Sequence, residues 1–346
     1  MTLRMRRPDD WHLHLRDGAL LAAVLPHTAA RFARAIVMPN LSPPVTTTAA
    51  ALAYRERILA ALPKGSRFEP MMTLYLTDNT PVTEIHRARD SGFIAGVKLY
   101  PAGATTNSDS GVTDPARCGE ALAAIEEVGL VLQVHGEVTD AAVDVFDRER
   151  VFIERVLDPV TRQHPRLKVV LEHVTTADGV DFVRKGRAGI AATITPQHML
   201  LNRNALFAGG LRPHNYCLPV LKAEHHREAV LAAAVSGNER FFLGTDSAPH
   251  TRRQKESDCG CAGIYSAPVG IEAYAEAFEA AGALPRLEAF ASEFGARFYG
   301  LPLNDDEIVL ERRAWRPPAE YIAGDERLVP FRADEPVRWA LAGTPS

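Results

Sequence analysis

The sequence predicts an α/β fold, a (β/α)8 barrel of the TIM type. Eight short apolar segments recur along the chain, and most of the intervals between them are long enough for a helix. The apolar residues within these segments mostly do not alternate with polar ones, which is typical of parallel strands buried on both faces. A doubly wound open sheet would usually need fewer strands and a glycine-rich first turn. Neither G-x-G-x-x-G nor G-x-x-x-x-G-K-[ST] occurs.

The eight predicted strands are rich in Val, Ile, Leu and Phe. They cover residues 11–16, 35–39, 71–76, 96–100, 130–135, 168–173, 190–195 and 241–245. Because the carboxyl ends of all strands in such a barrel open at one mouth, side chains at those ends are expected to meet there.

Helical stretches fill the intervals between the strands. Asp114 followed by Pro115 predicts an N-cap with proline at the first helical position, opening a helix over residues 116–128. After the last strand, a long loop leads to two further helices, at about residues 272–281 and 286–299.

Composition excludes several classes of protein. The 46% hydrophobic content of 346 residues is enough for a large core, and 39 basic residues against 43 acidic ones form no long block of one sign. We therefore expect no nucleic-acid partner and no membrane partner. Four cysteines in a chain of this length are not a disulfide framework, which favours the cytoplasm. Without repeats or a long linker, residues 1–346 are predicted to form one domain, with the tail from about residue 301 outside the barrel.

Six residues with metal-binding or acid–base chemistry lie at the ends of predicted strands. They are His12, His14, Lys98, His135, His173 and Asp246. Taken singly, each has an ordinary interpretation: the histidines as hydrogen-bonded core residues, Lys98 as the partner of a carboxylate, and Asp246 as a helix cap. Six such residues at one mouth are hard to obtain by chance, so we predict a single site there.

The residue types fit a centre with two metal ions. Side chains alternate along a strand, so His12 and His14 share a face. Histidine and carboxylate bind zinc-like ions, and two ions about 3.5–4 Å apart can share a water whose pKa falls towards about 7. A buried ammonium is costly, but a neutral Lys98 can take up carbon dioxide and become an anionic bridging carbamate. Asp246 could accept a proton from the bridging hydroxide and pass it to a leaving nitrogen.

This arrangement resembles the amidohydrolase superfamily, with H-x-H on the first strand, lysine on the fourth, histidines on the fifth and sixth, and aspartate on the eighth. Longer motifs resemble the class II dihydroorotases of bacteria. They are RRPDDWHLHLRDG, IVMPNL, KLYPA, VHGEVT, ATITPQH, RPHNYCLP and FLGTDSAPH. The resemblance runs from about Arg6 to Trp339, nearly the whole chain.

The resemblance implies a cytoplasmic homodimer that interconverts N-carbamoyl-L-aspartate and (S)-dihydroorotate in pyrimidine (UMP) synthesis. It implies two zinc ions per subunit, bridged by N6-carboxylated Lys98 and a hydroxide, with Asp246 as general acid and base. The first ion would be bound by His12, His14 and Asp246, and the second by His135 and His173.

The resemblance also implies the substrate contacts. Arg16, Asn40 and His250 would hold the substrate carboxylate, the backbone of Leu218 and Ala262 would contact the ring, and His14 and His135 would also touch the substrate.

The residue types of the carboxylate set are sensible in themselves. Arg16 lies two residues beyond His14, on the same predicted strand face, and its planar fork suits a carboxylate. Its alternative is a rim salt bridge to Asp17. Asn40 could instead be a turn residue, and His250 could be an ordinary loop histidine.

Two loops belong to the prediction. Residues 101–111 are small and polar and leave the strand that carries Lys98, so they predict a mobile loop. In the family such a loop closes over the substrate, with Thr105 and Thr106 touching it; the alternative is a passive connector. Cys259 and Cys261 lack the partner pair of a structural zinc site, so we interpret them as a turn that places the Ala262 backbone.

Two other functions compete. Another binuclear cyclic amidase, such as a hydantoinase or an allantoinase, would need a different pocket from the one formed by Arg16, Asn40 and His250. A non-catalytic barrel that has lost its chemistry would typically lack metal ligands, and here all six positions are filled.

Overall fold

In a computed structural model, which describes residues 1–343, eight parallel strands form one sheet, and the predicted barrel is confirmed. A further strand, β1 (Thr2–Arg6), precedes it and belongs to a different sheet. The barrel strands are β2 (Asp9–Leu13), β3 (Arg34–Val37), β4 (Glu69–Tyr75), β5 (Ile94–Leu99), β6 (Val131–Val134), β7 (Lys168–Leu171), β8 (Ile190–Ile194) and β9 (Phe241–Leu243).

The barrel strands pair in chain order from β2 to β9. The first and last strands meet just beyond their carboxyl ends. The Asp246 backbone N–H donates to the His12 carbonyl at 2.8 Å, and the His14 N–H donates to the Ser247 carbonyl at 2.9 Å. This closure holds the segment after β9 against the end of β2, which places Asp246 beside both histidines.

The first and last barrel strands are shorter than predicted at their carboxyl ends. β2 ends at Leu13 rather than residue 16, and β9 ends at Leu243 rather than residue 245. The pairing of β2 with β3 also contains a bulge, because Asp10 to Leu13 spans one residue more than the facing segment of β3. A bulge re-aims side chains. Here the neighbours Trp11 and His12 serve different regions of the interior.

A helix follows each barrel strand, as a parallel sheet with covered faces requires. In chain order these helices are Gly18–Arg31, Thr48–Ala60, Val82–Asp90, Gly119–Val128, the three consecutive segments Arg148–Phe152, Ile153–Leu157 and Asp158–Gln163, then Ala177–Lys185, Glu224–Ala234 and Gly270–Ala280. Shorter helices are Pro196–Leu200, Arg252–Lys255 and Phe294–Tyr299, the last preceded by the π-helical turn Ala289–Glu293. Single 3₁₀ turns are Pro115–Cys118, Arg203–Leu206, Pro213–Asn215, Ala267–Val269 and Leu284–Arg286.

The predicted cap at Asp114 is present. Its side chain accepts a hydrogen bond from the Ala116 backbone N–H at 2.9 Å. The segment it opens begins as the 3₁₀ turn and continues as the α-helix Gly119–Val128. Gly129, with φ of 73°, then ends this helix in the left-handed region that glycine adopts without strain.

The tail contains regular structure that the sequence did not predict. β10 (Glu307–Glu311) pairs antiparallel with β1 and with β13 (Ala340–Leu341), while β11 (Tyr321–Ala323) and β12 (Glu326–Leu328) form a separate pair. These strands lie in sheets other than the barrel. The pairing of β1 with β10 joins the two ends of the chain, a contact too distant along the chain for local patterns to indicate.

An apolar cluster fills part of the barrel interior. It consists of Trp11, Ile36, Met38, Met71, Val131, Val170, Ala191, Phe242, Phe294 and Ala296. The helix Phe294–Tyr299 contributes to it and covers the amino ends of the strands, where the Lys168 amine donates to the Phe298 carbonyl. Trp11 stacks on Tyr299 with ring centroids 4.7 Å apart. Over residues 1–343, the structure contains no helix with the length and apolar character of a membrane span.

Candidate active site

Three side chains converge where β2 and β9 meet. Asp246 Oδ1 lies 3.4 Å from His12 Nε2 and 3.2 Å from His14 Nε2. One ligand atom from each of these residues lies within 4.8 Å of the others. All three side chains are buried. Two imidazole nitrogens and a carboxylate oxygen at this spacing could hold a divalent metal ion.

The other two predicted histidines complete a contiguous set. His173 follows β7, and its ring centroid lies 5.0 Å from that of His12 and 4.8 Å from that of His135. Burial lowers the pKa of His14 to about 4 and holds the pKa of His173 well below its usual value. Both rings are therefore neutral near pH 7, which is the form in which histidine binds metals.

Lys98 tests whether the site fits a carboxylated lysine and metal ions. It is fully buried in β5, and its Nζ has no hydrogen-bond partner among the described residues. Burial lowers its pKa to about 8, although Glu172 and Asp246 oppose that shift. A buried ammonium without a partner is strongly disfavoured. A carbamate that ligates cations would remove the unpaired charge, so the residues fit.

Three residues at the mouth have left-handed backbone conformations. Arg16, His173 and Asp246 have φ of 57°, 42° and 44°. Such conformations cost about 1–3 kcal/mol each for residues other than glycine and cluster at functional sites. They turn the chain sharply at the strand ends. The prediction that Arg16 lies on the strand face of His14 is therefore wrong, because β2 ends at Leu13 and Arg16 itself has left-handed backbone.

Arg16 nevertheless points to the predicted carboxylate set. Its Nε donates to the Pro249 carbonyl at 3.0 Å, and one terminal nitrogen lies 3.0 Å from His250 Nε2. That same His250 nitrogen lies 3.0 Å from the Ala262 carbonyl. Burial, reinforced by the Arg16 charge, lowers the pKa of His250 to about 2, so the ring is neutral. A neutral Nε2 can accept from Arg16 or donate to Ala262, but not both.

Asn40 connects the histidine set to the loop after β5. Its Oδ1 accepts from His14 Nδ1 at 2.7 Å, and its amide nitrogen donates to the Thr106 carbonyl at 3.0 Å. Thr106 Oγ1 donates to the Ala262 carbonyl at 3.4 Å. A bridge between Pro101 and Val112 closes the base of this loop. The loop therefore contacts the mouth of the barrel on two sides.

Most of the predicted residues surround one narrow cavity. Its lining comprises His12, His14, Arg16, Asn40, Tyr100, Thr105, Thr106, His135, His173, Leu218, Asp246, Ala248, Ala262 and Gly263. Lys98 and His250 lie outside this lining. A wider vestibule continues outward along Arg16, Asn40 and His250, and Cys259 and Cys261 lie at its edge with their sulfur atoms 3.5 Å apart.

Several polar residues around the site are not predicted from the sequence. Glu172 Oε2 accepts from His12 Nδ1 at 2.9 Å, and Glu137 Oε2 accepts from His135 Nε2 at 2.7 Å. The signal was present, since Glu172 precedes His173 and Glu137 follows His135 by two residues. Lys255 donates to the Cys261 and Gly263 carbonyls at 2.8 and 2.9 Å and so fixes the backbone on either side of Ala262.

Comparisons with known proteins agree with this geometry. The model of the amidohydrolase family matches residues 10–304. A dihydroorotase of Cupriavidus taiwanensis is 66% identical over 337 residues, covering 97% of this chain and 98% of that protein. The chain belongs to the dihydroorotase family of amidohydrolases.

Solved structures of dihydroorotases superimpose closely on the barrel and its tail. The enzyme of Campylobacter jejuni is 34% identical with a TM-score of 0.90, covering 99% of this chain and 97% of that one. The enzyme of Saccharomyces cerevisiae, in complex with 5-fluoroorotic acid, is 32% identical with a TM-score of 0.91, covering 100% and 99%. This member of the dihydroorotase family is a hydrolase of cyclic amide C–N bonds. The hydantoinase or allantoinase alternative is less supported.

Proposed function

We propose that this chain interconverts (S)-dihydroorotate and N-carbamoyl-L-aspartate in de novo pyrimidine synthesis. The proposal extends to two zinc ions held by His12, His14, Asp246, His135 and His173, with carboxylated Lys98 as their bridge. Within the structure it rests on one observation above all, the fully buried Lys98 amine, which makes no hydrogen bond within residues 1–343 and contacts the Tyr100 ring at 5.0 Å from its centroid. When bound, the two ions would supply an activated water and polarise the ring amide carbonyl.

Asp246 is the general acid and base of this proposal. Burial raises the pKa of its carboxyl group, but the close contacts with the site histidines, His12 and His14 first, outweigh burial and hold that pKa well below its usual value. The carboxylate is therefore ionised and can accept the proton that the attacking water releases. It then returns the proton to the ring nitrogen as the C–N bond breaks.

Arg16, Asn40 and His250 are proposed to bind the substrate carboxylate. The neutral His250 ring cannot satisfy Arg16 and the Ala262 carbonyl at once. A carboxylate at this point could accept from Arg16 and from His250 Nε2–H, which would no longer have to act as the acceptor of Arg16. Without the substrate, Arg16 and the Ala262 carbonyl compete for His250 Nε2. The substrate carboxylate would remove that competition, which supports the assignment.

The remaining contacts concern the ring and the loop. Leu218 and Ala262 line the cavity, and their backbones are proposed to contact the pyrimidine ring, with His14 and His135 also near the substrate. Thr105 and Thr106 are proposed to cover the bound substrate and exclude water. Exclusion of water strengthens the electrostatic interactions in the site.

The experiment measures hydrolysis of dihydroorotate as a loss of its absorbance near neutral pH, with hydantoin as the comparison substrate. Zinc-loaded protein should open dihydroorotate and leave hydantoin largely intact, and chelated protein should be inactive until zinc is restored. Turnover of hydantoin in preference to dihydroorotate would overturn the substrate assignment. Activity that survives complete removal of metal would overturn the metal centre.

The proposal also includes a homodimer that works in the cytoplasm on a small-molecule substrate, without nucleic-acid or membrane partners. Its support is the family resemblance. Sedimentation equilibrium tests the dimer, since a single species with the 37.8 kDa mass of one chain would contradict it.

A further inference from the structure

Each proposed metal site contains one histidine that is held by a buried glutamate. His12 Nδ1 lies 2.9 Å from Glu172 Oε2, and His135 Nε2 lies 2.7 Å from Glu137 Oε2. Both glutamates are essentially inaccessible to solvent. Two unrelated segments of the chain, after β6 and after β7, thus supply the same kind of pair.

The hydrogen bonds select the nitrogen that is left for a metal. A carboxylate accepts only, so the ring nitrogen that faces it must carry the proton. His12 is thereby left with a free Nε2, the atom that lies 3.4 Å from Asp246 Oδ1. By the same reasoning His135 presents Nδ1. Outer partners of this kind fix the tautomer and orientation of a ligand and raise its basicity.

The partners of the other two histidines differ. His14 donates to Asn40, a neutral amide, and His173 Nδ1 has no partner among the described residues. Each proposed site therefore has one histidine that is held by a glutamate and one that is not. That distribution makes the two glutamates comparable, one for each site.

The charges also favour a role with cations. Asp246, Glu137 and Glu172 each contact a site histidine, and their carboxylates together carry three negative charges. A carboxylated Lys98 would add a fourth. Glu137 Oε1 and Glu172 Oε1 are buried without a hydrogen-bond partner among residues 1–343. Burying carboxylates in this way is costly unless positive charge lies nearby.

We infer that Glu172 and Glu137 are positioning residues that separately set the metal affinity of the two sites, Glu172 through His12 and Glu137 through His135. The inference rests on the proposed binuclear centre. It predicts that the same substitution at the two positions lowers the affinity for a different ion in each case.

The test compares Glu137→Gln, Glu137→Leu, Glu172→Gln and Glu172→Leu in the full chain. Glutamine keeps a neutral acceptor, as in the Asn40–His14 pair, so each Gln variant should bind one ion about tenfold more weakly. Leucine offers no acceptor, so each Leu variant should bind the same ion about a hundredfold more weakly. The second ion should keep its wild-type affinity, as measured by cobalt titration followed by absorbance.

Crystals prepared at one limiting cobalt concentration identify which of the two ions binds more weakly. Anomalous scattering should show depletion beside His135 and His173 in the Glu137 variants, and beside His12 and His14 in the Glu172 variants. Equal depletion of both sites, or wild-type occupancy at both, would overturn the inference. Each glutamate variant is the matched control for the other.

Thermal unfolding of the metal-free variants separates positioning from a general structural role. In the Gln variants, which keep an acceptor for the buried donors, the metal-free melting temperature should stay close to that of wild type, while the increase on adding cobalt should shrink. A lower metal-free melting temperature together with loss of both ions would assign the glutamates to folding instead. Wild-type protein that fails to bind two ions would contradict the proposed centre itself, an outcome distinct from failure of this inference.

Discussion

The same strands build two regions inside the barrel. One is packed from apolar side chains, and the other consists of buried polar and charged side chains. The apolar cluster holds close-packed side chains such as Trp11 and Phe242, and aromatic rings meet there at ordinary packing distances. The histidine region at the mouth holds buried polar atoms without partners, including those of Lys98 and His173. The protein's own side chains fill the apolar cluster, whereas the histidine region is where the proposed metal ions would bind.

The bulge in β2 separates the two regions within one residue. Trp11 joins the apolar cluster and its neighbour His12 joins the histidine region. Gly295 shows how tightly the apolar side is packed, since a Cβ at that position would lie 2.0 Å from the Trp11 ring nitrogen. Left-handed backbone at Arg16, His173 and Asp246 occurs only on the ligand side. The strained residues thus lie in the proposed site and not in the close-packed apolar cluster.

The largest effect is expected from Lys98→Met in the histidine region. The substitution keeps a similar volume and removes the amine, so the proposed bridge cannot form and kcat/KM should fall at least about a thousandfold, equivalent to about 4 kcal/mol. Metal content should fall with it. The metal-free variant should unfold in urea at the same or a higher concentration than metal-free wild type, because an unpaired buried amine has been removed. Wild-type metal content and turnover would contradict the proposed role.

The apolar cluster should respond in the opposite way. Phe242→Ala removes a fully buried ring and should lower the free energy of unfolding by about 3–5 kcal/mol. The remaining folded protein should keep its metal stoichiometry and its KM for dihydroorotate. Phe242→Leu is the milder control if the alanine variant does not fold. Loss of metal from a folded variant would show that the two regions are not independent.

Much of this division could be predicted from the sequence, and the failures have physical reasons. The eight apolar segments and the residues at their ends carry local patterns, so the barrel and the convergence of His12, Lys98 and Asp246 were predictable. The bulge and the turn at Arg16 depend on strand pairing. The contact of Glu172 with His12 joins residues far apart in the chain, and a glutamate beside a histidine has many ordinary explanations.

A smaller effect is expected at the edge of the histidine region, from Arg16→Lys. An ammonium cannot reproduce the planar fork, so the interaction with the substrate carboxylate should weaken by about 1.5–3 kcal/mol, or roughly 10- to 150-fold in KM. Metal content should not change. Arg57→Lys is the matched control, because Arg57 lines the same vestibule and pairs there with Asp17 on the surface. Unchanged KM in the Arg16 variant would remove that residue from the carboxylate site.

A further prediction concerns a histidine outside both regions. His27 packs against Tyr321 of β11 with ring centroids 4.4 Å apart, and burial together with the Arg31 charge lowers its pKa from 6.5 to about 4. Because the folded pKa is the lower one, the stabilisation is complete above pH 6.5 and is lost as the pH falls towards 4. The loss should reach at most about 3 kcal/mol.

His27→Phe keeps the ring contact and cannot take up a proton. Its free energy of unfolding, measured by urea denaturation of metal-free protein, should match that of wild type within about 1 kcal/mol at pH 7. At pH 4.5 the variant should be the more stable of the two. Parallel pH curves for the two proteins would assign the acid sensitivity to the histidine region instead. In that case burial of His27 would not lower the stability of the protein at low pH. The site histidines and His27 would then differ only in the groups that they contact.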